Sequence, residues 1–410
     1  QKCRKDGNMY KSIEELMQAA NCAAYPARWN EIFDTVMGDF DKNGCFLTDP
    51  AYYDMLHEKY GVLNKHLEVF KEAAVEVGKR EPLARLLSLL VATLRDREHV
   101  SADLKEFKAP TPPEGTRDLA VDMLTGLSLF AMVPYTAQKI APRNLPKYIS
   151  DYILQNCEMC VDYFKARYGA PGCNLIGWYQ LAIEGELFRV GRLEIQICAK
   201  FKGGTVFENA KGERVTLCHG RLLHRDGFPL GSHGYEDEEG SFEANVTETD
   251  SAYTGYPYLA SGHIKTDTVC LLKSEWRPIL TEGDPVVSLH IPSGGGLTPE
   301  VVDETLVEAK KVLATYYPDF KYKAFVCSSW MMDPQLVEML GPDANISKFC
   351  SRFTPMAQKS QGNAVMNFIF FDPDRKIPLS DLPEDTRFQR ALKQHYLGGK
   401  VIYEMLGYFF

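Results

Sequence analysis

Three glycines separate an apolar run from a helical pattern in residues 285–314, and this order of residues is suited to holding an anion. Val286–Ile291 has the length and β-branched content of a buried strand. Gly294–Gly296 follow, and Thr298 then stands as a helix N-cap ahead of Pro299. Glycine N–H groups can turn toward a ligand without obstruction by Cβ, and the helix dipole favours an anion there. The segment predicts a phosphate site, with a glycine turn that binds nothing as the alternative.

The glycine loop matches neither of the two common phosphate motifs. No Lys-Ser or Lys-Thr pair follows Gly296, and the glycines do not have the Rossmann spacing. The loop from Ser293 to Thr298 also contains no basic side chain. Phosphate binding would therefore rest on main-chain N–H groups alone.

A histidine and a cysteine lie at the ends of two neighbouring predicted strands. His290 ends the first strand, and Cys327 follows the second, Tyr322–Val326. Such a pair could act as base and nucleophile in a thiol-dependent hydrolase. His290 alone has an ordinary pKa near 6.5 that suits proton transfer, whereas Cys327 is equally suited to be a small buried strand residue.

No metal site is predicted. Cys157 and Cys160 form one C-x-x-C without a second pair, and structural zinc needs four ligands. Asp39–Gly44 imitates the start of an EF-hand loop, but Pro50 stands where the bidentate glutamate is required, so we expect a turn between helices. Eleven cysteines in a chain whose polar start lacks a secretion signal indicate reduced thiols in the cytoplasm.

The elements that position these residues change character along the 410-residue chain. Residues 1–170 carry helical periodicity and predict a helical domain, whereas residues 171–410 predict a mixed, mostly antiparallel sheet flanked by helices. The fold class is therefore α+β. A net charge of −9 argues against nucleic acid as a partner, and no apolar run is long enough to span a membrane.

Several elements of the second half are predicted individually. Leu187–Phe201 alternates as strands do, and Val365–Phe371 is predicted as a further strand. The polar stretch Gly231–Gly255 is predicted as a long mobile loop or a hairpin insertion. Three tyrosines in or beside it are candidate general acids that sequence does not rank, namely Tyr253, Tyr256 and Tyr258.

The motifs of the second half resemble those of a bacterial family of acyltransferase domain-containing proteins, which has GNAT-like N-terminal and C-terminal domains. The matching strings cover most of residues 175–395. They are Gly177–Ile183, Glu186–Glu194, Gly283–Pro292, Gly296–Pro299, Phe325–Pro334, Asn345–Phe349 and Thr386–Ala391.

The resemblance implies an acyl-CoA-dependent N-acyltransferase, in which a small amine attacks the thioester directly. Such an enzyme holds both reactants, removes a proton and stabilises the oxyanion and the thiolate. It implies His290, Glu184 and Ser328 as catalytic residues, with the His290 N–H as an alternative donor to the thioester carbonyl. Coenzyme A is then bound by the strand end and the loop, that is by Leu289, Ile291, Ser293, Gly294, Gly295, Gly296, Leu297 and Thr298.

The acceptor side of the site is predicted from side chains on other elements. They are Arg189, Arg192, Trp330 and Asn345. Two other functions stay open from sequence: a ligand-binding sensor with the same fold and no turnover, and the hydrolase that uses Cys327 and His290.

Overall fold

The computed structural model of the protein describes residues 9–372 and 374–410. It divides into two compact units, Gln1–Phe188 and Arg189–Phe410. The polar start from which a missing secretion signal is predicted falls mostly on residues 1–8, outside the described residues. The predicted domain boundary between residues 170 and 171 lies ahead of this division and stays a prediction.

The first unit is helical. Its longest helices pack through apolar faces, and Trp29 shows how closely, because its indole is fully buried and donates to the Thr93 hydroxyl over 2.7 Å. The helices are α1 (Ile13–Ala19), α2 (Trp29–Asn43), α3 (Pro50–Tyr60), α4 (Leu67–Gly78), α5 (Glu81–Arg95), α6 (Val100–Glu106), α7 (Leu119–Asp122), α8 (Leu124–Phe130), α9 (Val133–Ile140), α10 (Lys147–Gln155), α11 (Met159–Tyr168) and α12 (Ile176–Tyr179).

The second unit is built on strands and helices, and its first strand begins two residues before the division. The strands are β1 (Leu187–Val190), β2 (Leu193–Lys200), β3 (Gly204–Asn209), β4 (Arg214–Cys218), β5 (Arg221–Leu223), β6 (Phe242–Ala244), β7 (Thr247–Glu248), β8 (Ala252–Gly255), β9 (Val269–Leu272), β10 (Trp276–Leu280), β11 (Pro285–His290), β12 (Phe325–Ser329), β13 (Thr354–Ala357) and β14 (Met405–Phe409). The helices are α13 (Pro299–Tyr316), α14 (Gln335–Leu340), α15 (Asn345–Cys350), α16 (Asn363–Ile369) and α17 (Arg387–Leu397).

Six strands form the main sheet, in the order β1-β2-β11-β12-β14-β13. β11 runs antiparallel to β2 and parallel to β12, while β14 is antiparallel to both β12 and β13. The parallel pair needs a crossover, and α13 supplies it with Val302, Ala309 and Leu313 buried. The predicted mixed, mostly antiparallel α+β fold is confirmed.

Two predicted elements differ from the structure, and one prediction that was left open between two alternatives is decided by it. Asp39–Asn43, the start of the EF-hand-like string, continues helix α2, so no loop forms there. Val365 lies in helix α16 and not in a strand, because residues 364–366 and 370 bury one helical face against a small core around Leu336. The stretch 231–255 contains strands β6, β7 and β8, so the hairpin alternative is correct for it.

Candidate active site

The glycine loop connects β11 to the N-terminus of α13. Gly294 and Gly295 take φ values of +92° and +56°, which only glycine adopts readily. Thr298 caps the helix by accepting from the Val301 N–H over 3.4 Å, as predicted. The residues from Ser293 to Gly296 are exposed, so their main chain is open to a ligand at the positive end of an 18-residue helix.

A basic side chain reaches this loop from another element. Arg192 lies between β1 and β2, and its guanidinium donates to the carbonyl oxygens of Pro292 at 2.8 Å and Gly295 at 3.2 Å. Its own N–H donates to the Thr305 hydroxyl of α13 over 3.0 Å. Arg192 therefore joins the loop to the second turn of α13, and a cation lies beside the loop.

The charge of Arg192 is unusual because it is nearly buried without an ion-pair partner in the part of the chain that the structure describes. Arg192 is 9% exposed, and within the described residues no carboxylate forms an ion pair with it. Burial, and then the nearby Arg189, lower the pKa of its guanidinium. An anion beside the loop would supply the missing negative charge.

The two central strands part beside the loop. Among the described residues, the pairs between β11 and β12 are Val287 with Phe325 and Ser288 with Val326, and none lies beyond them. β11 continues against β2 through His290, and β12 continues against β14 through Ser329. The ends of β11 and β12 therefore leave main-chain groups facing a gap, next to the glycine loop.

Strand register assigns the side chains to the two faces of the sheet. Paired residues project to the same face and neighbours along a strand alternate. Because Ser288 pairs with Val326, His290 and Ser328 share one face; because Val287 pairs with Phe325, Cys327 lies on the other. The structure thus places His290 and Ser328 on the same face of the sheet and Cys327 on the opposite face.

His290 is held as a neutral imidazole. Burial lowers its pKa to about 4, and its Nε2 lies 2.8 Å from the Oε1 of Gln196 on β2. If that amide oxygen accepts, the Nε2 atom carries the ring proton and Nδ1 carries the lone pair. The main-chain N–H of His290 points toward β2 and not into the gap. The Val287 N–H, three residues earlier, donates to the Ala324 carbonyl just before β12, and peptide groups alternate in direction along a strand.

Ser328 is exposed, and its hydroxyl accepts from the Nε2 of Gln358 over 2.7 Å. An accepted hydrogen bond leaves the hydroxyl proton of Ser328 available as a donor. Cys327 differs, because burial, and then the nearby Cys350, raise its pKa to about 12. Such a thiol stays protonated and is a poor nucleophile.

Glu184 lies in the first unit, within a cluster of partners of its own. Its carboxylate accepts from Arg97 at 2.6 Å and from the Tyr135 hydroxyl at 3.0 Å, and it pairs with Lys139 at 3.2 Å. Burial raises the pKa of Glu184, but these three donors outweigh it and lower the pKa overall. The structure gives Glu184 a role in holding helices of that unit.

The predicted acceptor residues have different surroundings. Trp330 is buried and stacks on Phe388 with ring centroids 5.8 Å apart, as part of a small core. Asn345 is exposed as the first residue of α15. The Nε of Arg189 donates to the Gly191 carbonyl over 3.1 Å within the turn before β2.

The three candidate tyrosines have separate environments. Tyr253 belongs to β8 and packs on Phe207 at 4.7 Å, and Tyr256 packs on Phe242 at 5.0 Å. Tyr258 donates to the Gly203 carbonyl over 2.8 Å, and burial raises its pKa well above the usual value. Tyr258 is therefore a structural residue.

Three contributors to the site were missed by sequence reasoning. Gln196 contacts the His290 ring, Thr305 accepts from Arg192, and Gln358 donates to Ser328. Gln196 lies two residues after Glu194 on the predicted strand and on the same face. The sequence did not show that this strand is the neighbour of the strand that carries His290. Among the described residues, no group of three or more His, Cys, Asp or Glu side chains is arranged to hold a metal. Nor does any helix in that part of the chain have the length and apolar run needed to cross a membrane.

Comparison with known proteins adds three findings. Residues 187–409, more than half of the chain, match the family model described as GNAT-like C-terminal domain. A search of curated proteins found no match. Solved structures with the same fold include an acyltransferase mutant with octanoyl-CoA, at 19% identity and a TM-score of 0.61 over 96% of this chain and 98% of that one. Others are an acyltransferase with decanoyl-CoA and teicoplanin, and one with CoA and 10C-teicoplanin, each at 20% identity and 0.61 over 97% and 98%.

Proposed function

The chain belongs to the GNAT-like C-terminal domain family, and from this premise we propose that it is an acyl-CoA-dependent N-acyltransferase that acts on a small-molecule amine. The described cysteines are free thiols, which supports a reducing compartment such as the cytoplasm. The solved acyltransferases of the same fold carry CoA or acyl-CoA, and two of them carry teicoplanin-type molecules. These support acyl-CoA as the donor here.

One observation carries the proposal: a nearly buried arginine, with no counter-ion among the described residues, is hydrogen-bonded to an exposed glycine loop at a helix N-terminus. The pyrophosphate of coenzyme A is an anion of the size and charge that this arrangement favours. The pantetheine arm would then enter the gap beyond Ser288 and Val326, where main-chain groups of Leu289 and Ser328 can bind its amides.

The chemistry that follows uses the face shared by His290 and Ser328. The neutral His290 can take the proton that the amine loses as it attacks the thioester carbon. The Ser328 hydroxyl can donate a hydrogen bond to the departing thiolate, since its oxygen already accepts from Gln358. Both groups act on atoms that must pass through the gap between β11 and β12.

The two rival functions lose the features that favoured them. A sensor without turnover was suggested by the lack of a basic residue in the loop, and Arg192 supplies that charge from the β1–β2 turn. A hydrolase requires Cys327 and His290 to meet, but they project from opposite faces of the sheet. The Cys327 thiol is also held protonated by burial.

The test measures how far acetyl-CoA, octanoyl-CoA and desulfo-CoA each raise the melting temperature of the protein in thermal unfolding. A ligand that binds only the folded chain at 100 times its Kd stabilises it by about 2.7 kcal/mol. Gly295→Asp places a carboxylate against the expected pyrophosphate and should abolish this effect. Gly212→Asp is the matched control, since Gly212 has a similar positive φ of +79° with open space around it and lies in the β3–β4 turn.

A second pair of variants tests the arginine. Arg192→Gln should weaken binding of each CoA ligand about tenfold or more, because a charge-assisted hydrogen bond contributes about 1.5–3 kcal/mol. Arg277→Gln removes the same charge at an exposed position and should leave binding unchanged. Equal binding by wild type, Gly295→Asp and Arg192→Gln would refute the proposed pyrophosphate site, and CoA bound without acyl transfer to any amine would restore the sensor.

A further inference from the structure

A cavity in the first unit has the size and lining of a small-molecule site. Its volume is about 590 Å³, within the usual range for ligand pockets. Helices α3, α5 and α9, with the segments before α3 and α9, form its walls. The side chains that matter for the argument are Phe46, Tyr52, Met132, Tyr135, Arg95 and Gln138.

The walls of this cavity are aromatic rings whose polar atoms are already bonded. The Tyr52 hydroxyl donates to the Phe130 carbonyl over 3.3 Å, and the Tyr135 hydroxyl donates to Glu184. Burial raises the pKa of Tyr52 to about 12, so its ring stays neutral. Phe46 packs on Tyr52 with ring centroids 4.9 Å apart, yet 40% of its surface stays exposed. The rings therefore offer their faces to a planar apolar group.

The polar groups of the cavity are donors without partners. Arg95 is the last residue of α5, with its guanidinium 5.8 Å from the centre of the Phe46 ring. Within the described residues neither Arg95 nor Gln138 makes an ion pair or a side-chain hydrogen bond. A cation held over an aromatic ring at the edge of an apolar cavity is suited to a carboxylate.

The charges around the cavity point the same way. Glu184, which binds Tyr135, is paired with both Arg97 and Lys139. These two cations balance the carboxylate beside Tyr135, so Glu184 does not oppose an anion bound at Arg95.

We propose that this cavity binds a small aromatic carboxylate, with its ring against the exposed surfaces of Phe46, Tyr52 and Tyr135 and its carboxylate on Arg95 and Gln138. The site lies within the first unit and needs neither acyl-CoA nor the glycine loop. It adds a ligand class to the protein that the acyltransferase proposal does not include.

The experiment is calorimetric titration of the full chain with indole-3-acetate, and with indole-3-acetamide as the uncharged probe of the same shape. Wild type should bind indole-3-acetate at one saturable site, about tenfold or more tighter than the amide. Arg95→Gln should remove that preference, whereas Phe46→Ala should weaken both probes. Lys147→Gln, which removes a cation from an 86% exposed side chain elsewhere in the unit, should change neither.

Three results would overturn the proposal: no saturable binding of indole-3-acetate at millimolar concentration, equal affinity for both probes, or a preference that survives in Arg95→Gln. Arg95 and Phe46 are exposed enough for both variants to fold, and their thermal unfolding checks this. Titration of Gly295→Asp separates the two proposals, since it should bind indole-3-acetate as wild type does even where CoA binding is lost.

Discussion

Because His290 is buried in its neutral form, we expect the free energy of unfolding to depend on pH. Burial lowers its pKa to about 4 in the folded chain, from an ordinary value of 6.5. A folded-state pKa below the unfolded one means that the unfolded chain binds the proton first. The contribution of His290 to stability is therefore fully present above pH 6.5 and is lost as the pH falls through 6.5 toward 4.

The magnitude follows from the size of the shift. A difference of about 2.5 pKa units corresponds to about 3.4 kcal/mol in total, of which about 2 kcal/mol is lost by pH 5. His290→Gln is the matched variant, because its amide can still bond to Gln196 and does not titrate. Between pH 7.5 and pH 5, wild type should lose about 2 kcal/mol more unfolding free energy than the variant.

The assay is urea-induced unfolding of wild type and His290→Gln at both pH values, with ΔG extrapolated to water. Parallel losses in the two proteins would show that His290 keeps an ordinary pKa and is not buried as described. The same shift fixes the kinetics: acyl transfer that depends on a neutral His290 should show no titration near pH 6.5. A fall in kcat/KM centred there would contradict the reasoning independently.

Three further variants test other residues. Asp333 accepts hydrogen bonds from Gln335 and the Tyr403 N–H, yet burial raises its pKa to about 6. The stabilising effect of protonated Asp333 is therefore present below pH 3.8 and is lost as the pH rises through 6. In urea unfolding, wild type should lose about 2 to 3 kcal/mol more unfolding free energy between pH 4 and pH 7 than Asp333→Asn. Cys327→Ala should cost about 1 kcal/mol of stability and keep acyl transfer, and loss of turnover in a folded variant would revive the thiol mechanism. Glu184→Gln should lower the melting temperature and cost about 1 to 2 kcal/mol of unfolding free energy, while kcat/KM stays unchanged. A selective loss of kcat would show that Glu184 takes part in catalysis.

Local sequence signals were sufficient for the glycine loop and its helix. Thr298 and Pro299 mark a helix start through contacts within a few residues, and the structure confirms the N-cap. The α+β fold class was also predictable, because the change from helical period to strand alternation extends over many residues. The predicted strand at Val365 was wrong, because a short apolar run fits a strand and a buried helix equally well.

The side chains around the loop were harder to predict because they come from distant strands. Sequence placed Arg192 near the acceptor, whereas the structure directs its guanidinium to the Pro292 and Gly295 carbonyls. The separation of Cys327 from His290 follows from a register that a shift of one residue would reverse. Spacing along the chain does not fix such a register.

The bond between Arg192 and the Gly295 carbonyl joins residues 103 positions apart, and this has a consequence for the order of folding. The strand, loop and helix around Gly295 are held by contacts between residues close in sequence and can form early. The guanidinium of Arg192 reaches the loop only after the β1–β2 turn has packed against α13. Contacts of such long range slow folding, because the loop between them must close before the contact stabilises anything. Anion binding at the loop therefore reports completion of the second unit's fold: in a refolding time course, CoA binding should appear only with the final phase, after most helical signal has returned.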